Sequence, residues 1–332
     1  MKLLVTGGLG FIGSSFIEGA LEMGGVSRVV NVDNLSLGSS KVNRKRRQHD
    51  PKYRFVEGDI TDAKLISRLV TNSDVIVNFA AETHVDRSIF DPRPFLRSNT
   101  EGVLCILETI RTNARDATLV QVSTDEVYGD VARGSANEGD ALNPSSPYAA
   151  SKAAGDLLCL AYHRTYGLKT IVTRCTNNFG PRQSPEKFIP KTVIRAHLDL
   201  EIPLYGDGSN VRDWLYVEDH CEALRAVLAK GRPGRIYNIA GHNELSNVDV
   251  VRLILKIQGK PENLIQHVED RPGHDRRYSL SDEMLRTELG WRPRRAFEEA
   301  LEETVNWYLE NEDWWRPLAD EKTLSSAPWK RG

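Results

Sequence analysis

The feature that most constrains this chain is an alternation. Over the first 175 residues, short apolar runs at Leu3 to Thr6, Val29 to Val32, Arg54 to Glu57, Val75 to Phe79, Leu119 to Ser123 and Thr170 to Arg174 take turns with longer stretches of helical periodicity. Those stretches are Gly13 to Met23, Ala63 to Val70, Asn99 to Thr112 and Tyr148 to Tyr166. Strand-sized apolar runs without polar alternation suit strands covered on both faces, and parallel strands need a crossover that a helix supplies. Right-handed crossovers then predict an α/β fold, a Rossmann-like doubly wound parallel sheet over residues 1–176. Beyond Asn177, the Asn-Asn, Gly-Pro-Arg and Ser-Pro-Glu segments break the pattern, which predicts a smaller mixed α/β substrate-binding lobe over residues 177–332. Ligands of open α/β sheets bind beyond the carboxyl ends of the strands, so this lobe should close over that crevice. The tail after Trp315, with Ser325, Ser326, Ala327 and Pro328, is expected to be poorly ordered.

Composition narrows the function classes. A net charge of −2 gives no global attraction to nucleic acid or anionic lipid, and neither is expected as a partner. Lys41, Arg44, Lys45, Arg46 and Arg47 form a local basic run, read as a solvated loop or helix face. No apolar run approaches the roughly 18 to 20 residues that span a bilayer, so the chain is expected to be cytoplasmic. Cys105, Cys159, Cys175 and Cys221 show neither zinc-site nor disulfide-framework spacing, so no metal is expected and the thiols read as reduced and packed.

The first strand runs into Gly7-Gly8-Leu9-Gly10-Phe11-Ile12-Gly13, in which Gly7, Gly10 and Gly13 recur every third residue before a helix. Such glycines permit a tight turn, close approach of backbone to a pyrophosphate and close packing of helix on strand, while the helix N-terminus offers N–H donors. Asp33 follows 20 residues after Gly13, at the end of the second strand. A carboxylate there accepts from adenosine ribose hydroxyls and repels a 2′-phosphate, so the predicted cofactor is NAD.

Two further constellations carry chemistry. Tyr148 and Lys152 stand four apart and share a helix face, so the ammonium, together with the positive nicotinamide, should favour ionisation of a phenol whose ordinary pKa is about 10. Tyr148 is then the expected base for removing a hydroxyl proton during oxidation, with Lys152 also holding the nicotinamide ribose. Ser123-Thr124-Asp125-Glu126-Val127-Tyr128-Gly129 closes the fifth strand. Its adjacent carboxylates suit an acid and base pair, one kept protonated by desolvation and by its neighbour's charge. Both reach one crevice only if the strand ends near Thr124, since neighbours in a strand point to opposite faces.

The glycine spacing resembles that of the extended short-chain dehydrogenase/reductases from residue 1 to about residue 310. Ser-Thr-Asp-Glu-Val-Tyr-Gly at residues 123–129 resembles the dTDP-glucose 4,6-dehydratases in particular. So do Ala80 to Ser88 (AAETHVDRS), Ser146 to Lys152 (SPYAASK), Pro185 to Pro190 (PEKFIP), Val211 to Trp214 (VRDW) and Asp270 to Tyr278 (DRPGHDRRY). The resemblance implies C4 oxidation of a nucleotide sugar, elimination of water across C5 and C6, and hydride return to C6. Thr124 would bond the 4-hydroxyl, Asp125 would protonate the leaving 6-hydroxyl and Glu126 would take the C5 proton. Cofactor contacts are implied for Gly7, Gly10, Phe11, Ile12 and Gly13, for Asp33, Asn34, Leu35 and Ser36, and for Asp59 and Ile60. They are further implied for Phe79, Ala80, Ala81, Glu82, Asn99, Ser123 and Asn178. Substrate contacts are implied for His84, Thr124, Asn177, Glu186, Lys187, Phe188, Pro203, Tyr205, Arg212, Asn247, Arg271, His274 and Tyr278. A homodimer joined through the helices around residues 99–112 and 148–166 is implied too.

The chain departs from the family where Ser36-Leu37-Gly38-Ser39 replaces a common Thr-Tyr-Ala-Gly, and where Thr83 replaces a usual Ser. Leu37 cannot stack as an aromatic would. Two other readings share the fold. A nucleotide-sugar 4-epimerase needs NAD and the Tyr/Lys pair but not Asp125 and Glu126, and a non-catalytic NAD-sensing protein would need damaged chemistry.

Overall fold

In the computed structural model, which describes residues 1–45, 47–321 and 323–325, the expected alternation becomes one seven-stranded sheet. In chain order the strands are β1 (Lys2–Thr6), β2 (Arg28–Asp33), β3 (Tyr53–Glu57), β4 (Val75–Asn78), β5 (Thr118–Thr124) and β6 (Lys169–Cys175). There follow β7 (Asn177–Phe179), β8 (Ile202–Tyr205), β9 (Val211–Tyr216), β10 (Ile236–Ile239), β11 (Glu244–Ser246) and β12 (Ile265–Val268). The large sheet runs β10-β6-β5-β4-β1-β2-β3 with every neighbouring pair parallel. Chain direction across the sheet reverses between β1 and β4, which puts a crevice at their carboxyl ends.

Strand periodicity divides the core. Leu3 and Val5 of β1 pack with Phe16, Ile17 and Leu224 on one face, whereas Leu4 packs with Ile66, Ile106 and Leu107 on the other. Because both faces are covered, the strands read as continuous apolar runs. The sheet is not confined to residues 1–176. β10 adds its seventh strand, and the helix Val217–Lys230 joins the core that holds the helix Phe11–Glu22. The chain thus returns to the large sheet after building part of the smaller lobe, and the lobes are not two consecutive stretches. An isolated four-residue run in a mixed region gives no sign of which sheet it will join. The smaller lobe holds the three-stranded sheet β11-β9-β7 and the parallel pair β12-β8, around Phe179, Trp214, Phe297 and Trp315.

Local chemistry explains the helix ends that matter. Ser146 caps the helix Pro147–Tyr166 by accepting from Ala149 N, proline takes the first position, and Gly167 ends it in the left-handed conformation. The helix expected from Asn99 begins instead with a π-helical turn, Arg97–Glu101, before Gly102–Asn113. Asn99 is buried in that turn, and its side chain bonds Glu82 N, Glu82 O and Ser151 Oγ. A Cβ on Gly155 would lie 2.7 Å from Asn99 O, so this glycine is what lets the long helix approach the π turn.

Two outlying expectations need comment. Part of the basic run forms the short helix Lys41–Lys45, while Arg46 lies outside the described residues. The expected disorder after Trp315 does not hold for the residues described there. Arg316–Leu318 form a 3₁₀ turn, Leu324 packs on the small-lobe core, and Thr323 and Ser325 are buried. Ser326, Ala327 and Pro328 lie outside the described residues.

Candidate active site

The glycine turn is shaped by what cannot fit in it. Gly7 has φ +67°, and a Cβ there would lie 2.6 Å from Ala80 N; on Gly13 it would lie 2.5 Å from Gly7 O. Only hydrogen at these positions lets β1, the turn and the chain after β4 close up beneath a ligand. Asp33 is buried and takes three donors from the surrounding loops, Leu9 N at 2.9 Å, Leu35 N at 2.9 Å and Ser39 Oγ at 2.8 Å. Its carboxylate is thereby held in one orientation at the end of β2.

One cavity is lined by Gly7, Gly10, Phe11, Ile12, Gly13, Asp33, Asn34, Ser36, Ile60, Phe79, Ala80, Ala81, Ser123, Tyr148, Lys152 and Asn178, all expected at the cofactor. Leu37 lines it too, more than half exposed, in the loop where an aromatic residue is common in the family. Leu35, Asp59, Glu82 and Asn99 do not line it. Asp59 accepts from Thr61 N and Thr61 Oγ1, and Asn34 donates to it. Asn99 holds the backbone of Glu82, so these two stand behind the wall they were expected to form.

β5 ends at Thr124 and a 3₁₀ turn, Asp125–Tyr128, follows, as the two-carboxylate reading required. Thr124, Asp125, Glu126, Tyr148 and Lys152 all line this cavity. Thr124 Oγ1 donates to Asp125 Oδ1 at 3.1 Å, while Asp125 Oδ2 is buried without a partner. Burial, and then the Glu126 charge, raise the Asp125 pKa well above its ordinary value. Burial also raises Glu126, but the charges of Arg271, Arg212 and Lys187 oppose it there. The two environments separate an acid from a base.

Lys152 shares the helix of Tyr148 but donates elsewhere. Lys152 Nζ donates to Val122 O at 2.7 Å, and its pKa is lowered, chiefly by burial. Burial, then the nearby Glu126 and Cys175, hold the phenol well above its ordinary pKa, against a hydrogen bond with Thr124. Helical spacing placed the two side chains on one face but did not aim one at the other.

A second pocket adjoins the first. His84, Asn177, Glu186, Lys187, Phe188, Pro203, Tyr205, Arg212, Asn247, Arg271, His274 and Tyr278 line it, twelve of the thirteen residues expected at the substrate. The thirteenth, Thr124, lines the first cavity, and Glu126 lines both. Arg212 lies over the Tyr278 ring at 4.2 Å and donates to Asp275 O. Phe188 stacks on Trp214 with ring centroids 5.9 Å apart. His84 and His274 both have lowered pKa values, chiefly through burial, the latter at about 4, so both are neutral near pH 7.

Several residues here had no role assigned from sequence. Asp86 accepts from Arg271 Nη1 at 2.8 Å and from Tyr205 Oη at 2.7 Å, fixing two substrate-pocket side chains. His220, buried and held neutral by burial at about 3, bonds Asn178 Oδ1 at 2.8 Å and orients that amide. Lys191 lines the pocket one helical turn beyond Lys187, a spacing that could have revealed it. Ser325 gave no local signal.

Comparison with known proteins agrees with this arrangement. The family model described as GDP-mannose 4,6 dehydratase matches residues 4–304. A dTDP-glucose 4,6-dehydratase of Streptomyces niveus is 46% identical over 336 residues, covering 100% of each chain. The structure of DesIV, a dTDP-glucose 4,6-dehydratase of Streptomyces venezuelae crystallised with NAD and a further ligand, matches with TM-score 0.94 and 46% identity, covering 96% of this chain and 100% of that one. A UDP-glucuronic acid 4-epimerase of Bacillus cereus matches with TM-score 0.88 but only 26% identity, covering 93% of this chain and 99% of that one. The chain belongs to the dTDP-glucose 4,6-dehydratase family.

Proposed function

We propose that the protein converts dTDP-glucose to dTDP-4-keto-6-deoxyglucose and water. The observation that carries the reading is the position of Glu126, which lines both cavities beside a carboxyl group whose acid form burial favours. An epimerase has no use for such a pair.

The glycine turn, whose space a Cβ would fill, and the fixed carboxylate of Asp33 fit NAD. When bound, NAD supplies the oxidation at C4, the return of the hydride to C6 and a positive ring that favours the Tyr148 phenolate. Tyr148 takes the 4-hydroxyl proton, and Thr124 holds that hydroxyl. The resulting ketone acidifies C5–H, because the carbanion is delocalised into the carbonyl. Glu126 removes that proton and returns one to C5 when C6 is reduced, and Asp125, through the oxygen that Thr124 leaves free, protonates the departing 6-hydroxyl. Arg212, Arg271 and Lys187 meet the diphosphate; a guanidinium fork engages its oxygens bidentately.

The subunits form a homodimer in this proposal. Leu104 and Leu157, on the helices Gly102–Asn113 and Pro147–Tyr166, are large apolar side chains left exposed. Among the described residues no helix is long and apolar enough to cross a membrane, and all four cysteines are free, as a cytoplasmic location would require. The test is incubation of purified protein with dTDP-, UDP-, CDP- and GDP-glucose without added NAD. The 4-keto-6-deoxy product is expected fastest from dTDP-glucose. Recovery of the C4 epimer alone would contradict the reading.

A further inference from the structure

The segment after the last long helix lies along the helix Phe188–His197, touching it at successive turns. His197 Nε2 meets Glu312 Oε1 at 2.6 Å, Arg195 Nη1 donates to Leu324 O at 2.7 Å, and Lys191 Nζ donates to Ser325 O at 3.1 Å. Leu324 packs its side chain on the small-lobe core. The contacts march along the helix toward its N-terminus, where Phe188 and Lys187 line the nucleotide-sugar pocket, and at that end Ser325 itself becomes part of the pocket wall. A backbone segment that meets a lysine ammonium inside a binding pocket does more than cover apolar surface, because it decides where that charge is held.

We propose that Ser325, anchored through Leu324 on the small-lobe core, is a structural wall of the nucleotide-sugar pocket and positions Lys191 as a further cation for the nucleoside diphosphate. The Ser325 carbonyl occupies one of the three donors of the ammonium and leaves the others for the ligand. Burial lowers Lys191 to about 8, with Asp86 and Glu186 opposing that shift, so the charge is held under strain that an arriving dianion relieves. Arg195 is not part of the pocket lining; besides the repulsion its charge exerts on the Lys191 ammonium, it acts on the ligand by holding the segment. The inference rests on the substrate-pocket reading above, and its test separates the two.

Calorimetric titration with thymidine diphosphate and steady-state kinetics with dTDP-glucose are compared for the intact chain, Lys191→Met, Arg195→Met and a chain ending at Ala319. Lys191→Met and the shortened chain should each bind thymidine diphosphate about tenfold more weakly or worse, as expected for loss of a hydrogen bond to a charged group. KM should rise with little change in kcat, and the content of copurified NAD should stay that of the intact chain. Arg195→Met should move the same quantities in the same direction by a smaller factor. Lys191→Met introduced into the shortened chain should add less than it does in the intact chain, since the segment acts through the lysine. Unchanged affinity in Arg195→Met and Lys191→Met, or full additivity of the double change, would overturn the proposal while leaving the pocket reading in place. If the intact chain fails to bind thymidine diphosphate, the pocket reading fails and this inference with it.

Discussion

The two adjoining cavities are built by different means. The cofactor cavity is largely a backbone object: Gly7 and Gly13 shape it by lacking side chains, and Asp33 is fixed by the main-chain donors Leu9 N of the glycine turn and Leu35 N of its own loop, with Ser39 Oγ beside them. The nucleotide-sugar pocket is a side-chain object. Its residues come from the segments around 84, 187, 204, 212, 247 and 274, and they hold one another through contacts such as Asp86 with Arg271 and Tyr205. Backbone sites tolerate little change and look alike across chemistries, as the shared fold of the epimerase shows. Side-chain sites are where one family member can diverge from another.

Changes at the reacting groups should show the largest effects. Tyr148→Phe removes one hydroxyl from a buried ring and should retain the fold and nucleotide binding, while turnover falls by roughly 10² to 10⁴. Turnover near the original rate would take Tyr148 out of the mechanism. A reciprocal pair comes next. Gly7→Ala forces a side chain into the left-handed region and against Ala80, so copurified NAD should drop about tenfold or more, while thymidine diphosphate affinity changes much less. Arg271→Met should do the converse, weakening thymidine diphosphate binding by about ten- to a hundredfold with NAD content retained. If either substitution lowers both bindings equally, the two-cavity distinction does not hold.

The smallest expected effect concerns stability. Asp125 has a folded-state pKa well above the ordinary carboxylate value, so it favours the folded state fully below the unfolded pKa, and that contribution is lost as pH rises through the folded pKa. Asp125→Asn carries no such loss. It should raise Tm at pH 8, by about 2 to 4 °C for each kcal/mol recovered, and by less at pH 5. A larger gain at pH 5 than at pH 8 would show that Asp125 is not held in its acid form.

What could be read from sequence follows the same division. The strands, the glycine turn, Asp33 and the end of β5 at Thr124 were legible because each depends on neighbours within a few residues. The membership of β10 in the large sheet was not, since a four-residue strand carries no address, and neither was the burial of Thr323 and Ser325. The pocket residues were named only through resemblance; no local rule joins Arg212 to Arg271 or predicts that Asp86 lies between Arg271 and Tyr205. Spacing put Tyr148 and Lys152 on one helix face, but the turn of the ammonium to the Val122 carbonyl is a tertiary contact that spacing does not carry. The π turn at Arg97–Glu101 escaped because its cause, the bonds of Asn99 to Glu82 and Ser151, is tertiary.

The central claim is that Glu126 removes the C5 proton so that water leaves across C5 and C6. The direct measurement is NMR and mass analysis of the sugar formed from dTDP-glucose in deuterated water by the original protein and by Glu126→Gln, which keeps the shape of the side chain but deletes the base. The original protein should give the 4-keto-6-deoxy sugar with solvent deuterium at C5. Glu126→Gln should give a 4-keto sugar that retains its 6-hydroxyl and exchanges C5 slowly. Formation of the dehydrated product by Glu126→Gln at the original rate, or of only the C4 epimer by the original protein, would contradict the account.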